Sequence, residues 1–216
     1  MRRPALRHHA FALVTLSLAL TVAGQGIARA GEAPAAADPH AAHRHMMEAA
    51  ASSSVKRTVT NYAVPHLSLV RADGARVALD EELNDGRPVV LNFIFTTCTT
   101  ICPTMSTAFS KVPEKMGAGA GKLRMISVSV DPEFDKPAQL KAYAKQFGAG
   151  ANWQFLTGSV EDVGTVLRAF DNYHADKMDY GPLTFLRPAP GKPWVRIDGF
   201  ASAEELVREY RNVVSN

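Results

Sequence analysis

The sequence predicts a three-layer α/β domain. Two apolar runs, 88–95 and 123–130, read as strands of the kind buried on both faces. A helical pattern follows each of them, and a closing pair of strands leads into a capped C-terminal helix. The chain has 216 residues, 46% hydrophobic and 21% charged, enough for one domain with a substantial core.

In chain order, the first segment is a targeting sequence. Arg2, Arg3 and Arg7 precede an apolar stretch from Phe11 to Ala23, and Ala28-Arg29-Ala30 offers a small-x-small cleavage site before Gly31. This pattern predicts a secretory signal peptide over 1–30, with an uncleaved anchor as the rival reading. Residues 31–58 are rich in alanine and read as a flexible tail. They hold His40, His43, His45, Met46 and Met47, a tract that reads either as metal-holding or as a solvated tail. The domain is expected over 59–216. Leu67–Val70 and Arg76–Leu79, around Ala72-Asp73-Gly74, predict an N-terminal β-hairpin. The 88–95 strand leads to a helix with Pro103 in its first turn, ending near Met116 before the glycine-rich 117–121. Leu123–Val130 is the second core strand. Pro137–Phe147 reads as a helix with Gly148 at its C-terminal end, and Trp153–Leu156 as a short strand. Ser159, with Asp162 three residues on, starts a helix running to about Asp171. Leu183–Leu186 and Trp194–Ile197 read as paired strands. Ser202 then caps the last helix, with Glu204 and Glu205 in its first turn.

Charge narrows the function classes. The first thirty residues carry four of the 24 basic residues and none of the 21 acidic ones, so without them the formal net charge changes from +3 to −1. The basicity belongs to the targeting segment, and nothing remaining suggests nucleic-acid binding. No glycine-rich phosphate loop, Ser-His-Asp set or paired-carboxylate constellation stands out.

The chemistry concentrates in Cys98-Thr99-Thr100-Ile101-Cys102-Pro103, which holds both cysteines and follows directly on the first core strand. Thiolates are soft ligands suited to Cu(I), and a helix N-terminus favours the thiolate. The same pair can close a reversible disulfide in an oxidising compartment, although so short a loop would contribute little stability. Asp131 and Asp135 read as turn or cap residues rather than groups serving the cysteines. Met105, Met116, Trp153 and Trp194 read as core or anchoring side chains.

These residues resemble the Sco/SenC family. Cys98-Thr99-Thr100-Ile101-Cys102-Pro103 is similar to its Cys-x3-Cys-Pro signature, Ser127-Val128-Ser129-Val130-Asp131-Pro132 to its second motif, and Trp153-Gln154-Phe155-Leu156-Thr157-Gly158 to a third. The likeness covers roughly 60–214. It implies a thioredoxin-like three-layer fold with an N-terminal β-hairpin extension. It also implies export to the periplasm, and copper handling for the Cu(A) centre of cytochrome c oxidase or thiol–disulfide exchange. Carried over by position, Cys98 and Cys102 match the family's thiolate ligands. The chain departs from the pattern at the third ligand, where Tyr180 stands in the histidine's place. A phenol is a hard, poor ligand for Cu(I). His174 and the His40–Met47 tract are the substitutes the sequence offers, while His66 reads as structural.

The resulting expectation is an exported assembly factor that carries Cu(I) on Cys98 and Cys102. Its partner would be the Cu(A) subunit of an oxidase or another periplasmic copper or thiol protein. Membrane association would come only through a membrane-bound partner or an uncleaved anchor. The alternative is a thiol–disulfide oxidoreductase in which Cys98 and Cys102 form the redox pair. A peroxidase is disfavoured, because Phe95 stands where peroxiredoxins place threonine.

Overall fold

The computed structural model describes residues 55–215. The expected signal peptide and most of the tail, with the His40–Met47 tract, lie outside the described residues. The apolar run of the first core segment becomes β4 (Val89–Ile94), buried at every position. It pairs in parallel with β5 (Arg124–Ser129), and β5 in parallel with β6 (Trp153–Thr157). Parallel strands need crossovers. The first is supplied by α2 (Ile101–Met116) and the second by α3 (Pro137–Gln146).

The remaining pairings are antiparallel. β2 (Ser68–Arg71) and β3 (Arg76–Ala78) form the expected hairpin, with Gly74 at φ +88° in its turn and the Asp73 carboxylate accepting from the Ala75 amide at 2.9 Å. β2 adds this hairpin to the sheet against β6. On the other side, β7 (Leu183–Arg187) pairs with β4, and β8 (Trp194–Asp198) with β7. With β1 (Lys56–Thr60) at one edge and β3 at the other, the eight-stranded sheet reads β1-β8-β7-β4-β5-β6-β2-β3.

The outermost strand, β1 (Lys56–Thr60), corrects the expected boundary between tail and domain at 58/59, which falls inside it. It pairs along β8 from Lys56 opposite Asp198 to Thr60 opposite Trp194. As an edge strand it exposes nearly all of its side chains, Val59 by 52%, so it carries no apolar alternation to read.

Period-two alternation along β4 divides the core between the two faces of the sheet. Val89, Leu91 and Phe93 join one cluster with Leu79 and Leu83 of α1 (Leu79–Leu83) and Val163, Val166 and Leu167 of α4 (Val160–Ala169). Val90 and Ile94 join the other with Phe109 and Val112 of α2, Leu140 and Tyr143 of α3, and Leu206 and Val207 of α5 (Ala203–Val214). These are the three layers. Edge-to-face and tilted rings fill the first cluster, where Phe170 meets Phe93, Phe185, Trp194 and Tyr62.

Helix ends follow the chemistry of their capping residues. Ser202 and Glu205 complete a reciprocal capping box on α5, and the Ser159 hydroxyl accepts the Asp162 amide at the start of α4. Pro137 opens α3, and Gly148 lies one residue past its cap at φ +62°. The glycine-rich 117–122 forms a 3₁₀ turn after α2.

Candidate metal centre

The site forms where β4 ends and α2 begins. The first amides of a helix lack intrahelical acceptors, and Thr100, at the N-cap of α2, offers no side-chain bond to them. The Cys98 sulfur takes that role, accepting the backbone N–H of Cys102 at 3.3 Å. A turn in which the Cys98 amide donates to the Phe95 carbonyl at 3.1 Å sets this geometry.

The two thiols are electrostatically unlike. Burial pushes Cys98 up, but hydrogen bonds from the amides of Cys102, Thr100 and Ile101 and from the Cys102 thiol outweigh it, leaving its pKa below the ordinary thiol value. Cys102 is 4% exposed, and its pKa is raised, first by burial and then by the neighbouring Cys98 and Asp135, against a backbone hydrogen bond from Phe95. Cys98 is half-buried and reachable, whereas Cys102 is enclosed. A partly exposed thiol poised toward the thiolate at a helix start is the environment that makes cysteine a nucleophile and a soft ligand.

Asp135 fixes the approach to the cysteines. Its fully buried carboxylate accepts the Thr96 amide at 3.0 Å, the Thr96 hydroxyl, and the Ser129 hydroxyl at 2.6 Å, tying the exit of β4 to the end of β5. The Asp131 amide donates to the Ser129 hydroxyl at 3.0 Å, and the Asp135 amide to the Asp131 carbonyl at 2.8 Å. The Lys177 ammonium pairs with Asp131 at 2.5 Å and lies 5.6 Å from the centre of the Phe95 ring. Asp131 and Asp135 therefore do more than end a strand. A serine and two acids around a proline were the available signal, but the partner Thr96 is 39 residues away and invisible to local pattern. Beneath the pair, the Ser106 and Tyr143 hydroxyls share a buried 2.9 Å hydrogen bond, and burial raises the Tyr143 pKa.

Among the described residues, neither His174 nor His66 joins the two thiols in a metal-ligand cluster. Tyr180 is 9% exposed and packs in the cluster on the α4 face, whereas Cys102 belongs to the cluster on the α2 face. Burial raises its phenol, against a backbone hydrogen bond from His174. The exposed His174 ring lies edge-on to Tyr180, 4.9 Å between centroids. Both line a cleft of about 450 Å³ whose lining includes neither cysteine. His66 pairs with Asp80 at 2.8 Å. Among the described residues, no three Cys, His, Asp or Glu side chains gather into a metal-ligand cluster. Met105, Trp153 and Trp194 are core residues, each 5% exposed or less.

A model of the SCO1/SenC family matches residues 56–215. Over 99 residues the chain is 42% identical to the SCO1 protein homolog of Bacillus subtilis, covering 45% of this chain and 50% of that one. Over 111 residues it is 35% identical to the mitochondrial SCO1 homolog 1 of Arabidopsis thaliana, covering 50% of this chain and 31% of that one. The chain thus spans half or less of the length of these curated relatives. Among solved structures it resembles BsSco, described as a member of the Sco family of cytochrome c oxidase assembly proteins, with TM-score 0.62 and 29% identity over 73% of this chain and 96% of that one. It also resembles Bradyrhizobium japonicum ScoI with copper bound, with TM-score 0.57 and 27% identity over 70% of this chain and 99% of that one. The thioredoxin-like fold expected from the sequence is the fold of these neighbours.

Proposed function

The chain belongs to the SCO1/SenC family, and from that premise we propose that it binds Cu(I) through Cys98 and Cys102 and serves the assembly of a cytochrome c oxidase Cu(A) site. The observation that carries this reading is the sulfur of Cys98 seated on the first amides of α2, next to Cys102 in the following turn. Two soft donors satisfy Cu(I), which accepts low coordination, whereas Cu(II) prefers a tetragonal set including imidazole. Among the described residues, no His, Asp or Glu joins Cys98 and Cys102 in a metal-ligand cluster, which supports a thiolate pair. Half-exposed Cys98 is the ligand a partner reaches first when copper is passed by ligand exchange. The basic, apolar, small-residue pattern of 1–30 supports export to the periplasm.

The asymmetry of the thiols supports a second reading, reduction of a partner's disulfide. The Cys98 thiolate attacks one partner sulfur, forming a mixed disulfide and releasing the other as thiolate. Cys102 then passes its proton to the released partner thiolate and attacks Cys98 Sγ, so the partner leaves with one thiol and one thiolate, which takes a proton from water, and this chain keeps the Cys98–Cys102 disulfide. Anaerobic titration of the reduced protein with Cu(I) against a competing chelator separates the two. One tightly held Cu(I) per chain, lost in Cys98→Ser and in Cys102→Ser, is the expected result. No retention against the chelator leaves thiol exchange as the better account.

A further inference from the structure

Phe134, Val160, Tyr173 and Met178 are each at least half exposed, which soluble domains avoid for large apolar side chains unless the surface is used. All four lie in, or directly beside, the segments that line the cleft of about 450 Å³ formed by Val130–Glu133, the first turns of α4 and residues 173–177. Val130, Val163 and Leu167 supply an aliphatic wall on one side, while Tyr173, His174, Tyr180 and charged side chains make the rest of the lining polar. Its charged groups are three carboxylates, Asp131, Glu133 and Asp176, against one ammonium, Lys177, which Asp131 already pairs. The Arg168 guanidinium lies over the Tyr173 ring at 4.9 Å and beside Gly164, at the edge of the cleft, where the Tyr173 ring engages it. The cleft adjoins the cysteine loop, because Lys177 also packs on Phe95 and the turn carrying Asp131 is tied through Asp135 to Thr96.

We propose that this cleft is the docking site for a partner protein, which lays a segment of alternating basic and apolar residues across it and so brings its own thiols to Cys98. The apolar side chains bury against Val160, Tyr173 and the aliphatic wall, and a lysine or arginine of the partner meets Glu133 and Asp176. Charge complementarity of this kind sets partner choice and encounter rate. The inference rests on the reading of Cys98 as the exchanging sulfur, but its test does not require copper.

The test is fluorescence anisotropy of the reduced full-length chain with a labelled, cysteine-free peptide alternating lysine and leucine, beside its glutamate-for-lysine counterpart. The lysine peptide should bind, and more weakly as salt is raised. The glutamate peptide should not. Glu133→Lys, at an exposed residue, and the double variant Glu133→Lys/Asp176→Lys should each weaken binding, the double variant by about tenfold or more. Val160→Ser should weaken it through the apolar contact. Retained binding in Cys98→Ser would show that docking stands apart from copper ligation. Equal binding of the two peptides, or unchanged binding in Glu133→Lys and the double variant, would overturn the proposal.

Discussion

At the residue scale, Cys98 and Cys102 share one short motif yet occupy different environments, because the chain needs an acceptor at the start of α2 and uses one of the sulfurs. Cys98 should therefore react with iodoacetamide at lower pH than an ordinary thiol, while Cys102 stays unmodified in the native state; peptide mapping across a pH series checks both. The sign of the linkage for Cys102 follows from its raised pKa. Its contribution to stability is complete below the unfolded thiol value of about 8.5 and is lost as pH rises beyond it, so Cys102→Ala should flatten the alkaline fall in stability. Asp135 matters by a different route. Truncating it strands the Thr96 amide and the Ser129 hydroxyl in a buried place, and Asp135→Ala should cost about 2–3 kcal/mol by denaturant unfolding. The cysteines were legible in the sequence because strand, spacing and proline coincide within a dozen residues. The clamp on Thr96 was not, since it joins two loops through the fold.

At the element scale, strands and helices that bury a face announced themselves. The runs that became β4 and β5 and the capped starts of α4 and α5 lie close to where local physics puts them. Ser202→Ala, which removes one half of the capping box, should cost about 1 kcal/mol in thermal or chemical unfolding and leave copper binding unchanged. β1 was missed for the converse reason. An edge strand reading Lys-Arg-Thr-Val-Thr is stabilised by its ladder to β8 rather than by burial, so its composition resembles the tail before it. Pro113 is a further case. A proline inside a helix pattern usually marks a boundary, yet α2 continues to Met116, held by Phe109 and Val112 in the core.

At the scale of the whole molecule, the sheet decides which candidate ligands can meet. Carried over by position, Tyr180 stands where the family pattern has its third ligand. The fold buries it in the cluster on the α4 face, with the His174 ring edge-on to it. Tyr180→Phe should then leave Cu(I) affinity unchanged in competition with a Cu(I) chelator. Phe170→Ala, at the meeting point of four aromatic rings, should cost about 3–5 kcal/mol. We propose that copper is held as Cu(I) by Cys98 and Cys102, with no ligand from Tyr180 or His174. Copper K-edge X-ray absorption of the Cu(I)-loaded reduced protein tests it most directly. A low-coordinate edge and a first shell of two sulfurs, unaltered in Tyr180→Phe and His174→Ala, are expected; a nitrogen or oxygen scatterer that disappears in either variant would contradict this ligand set.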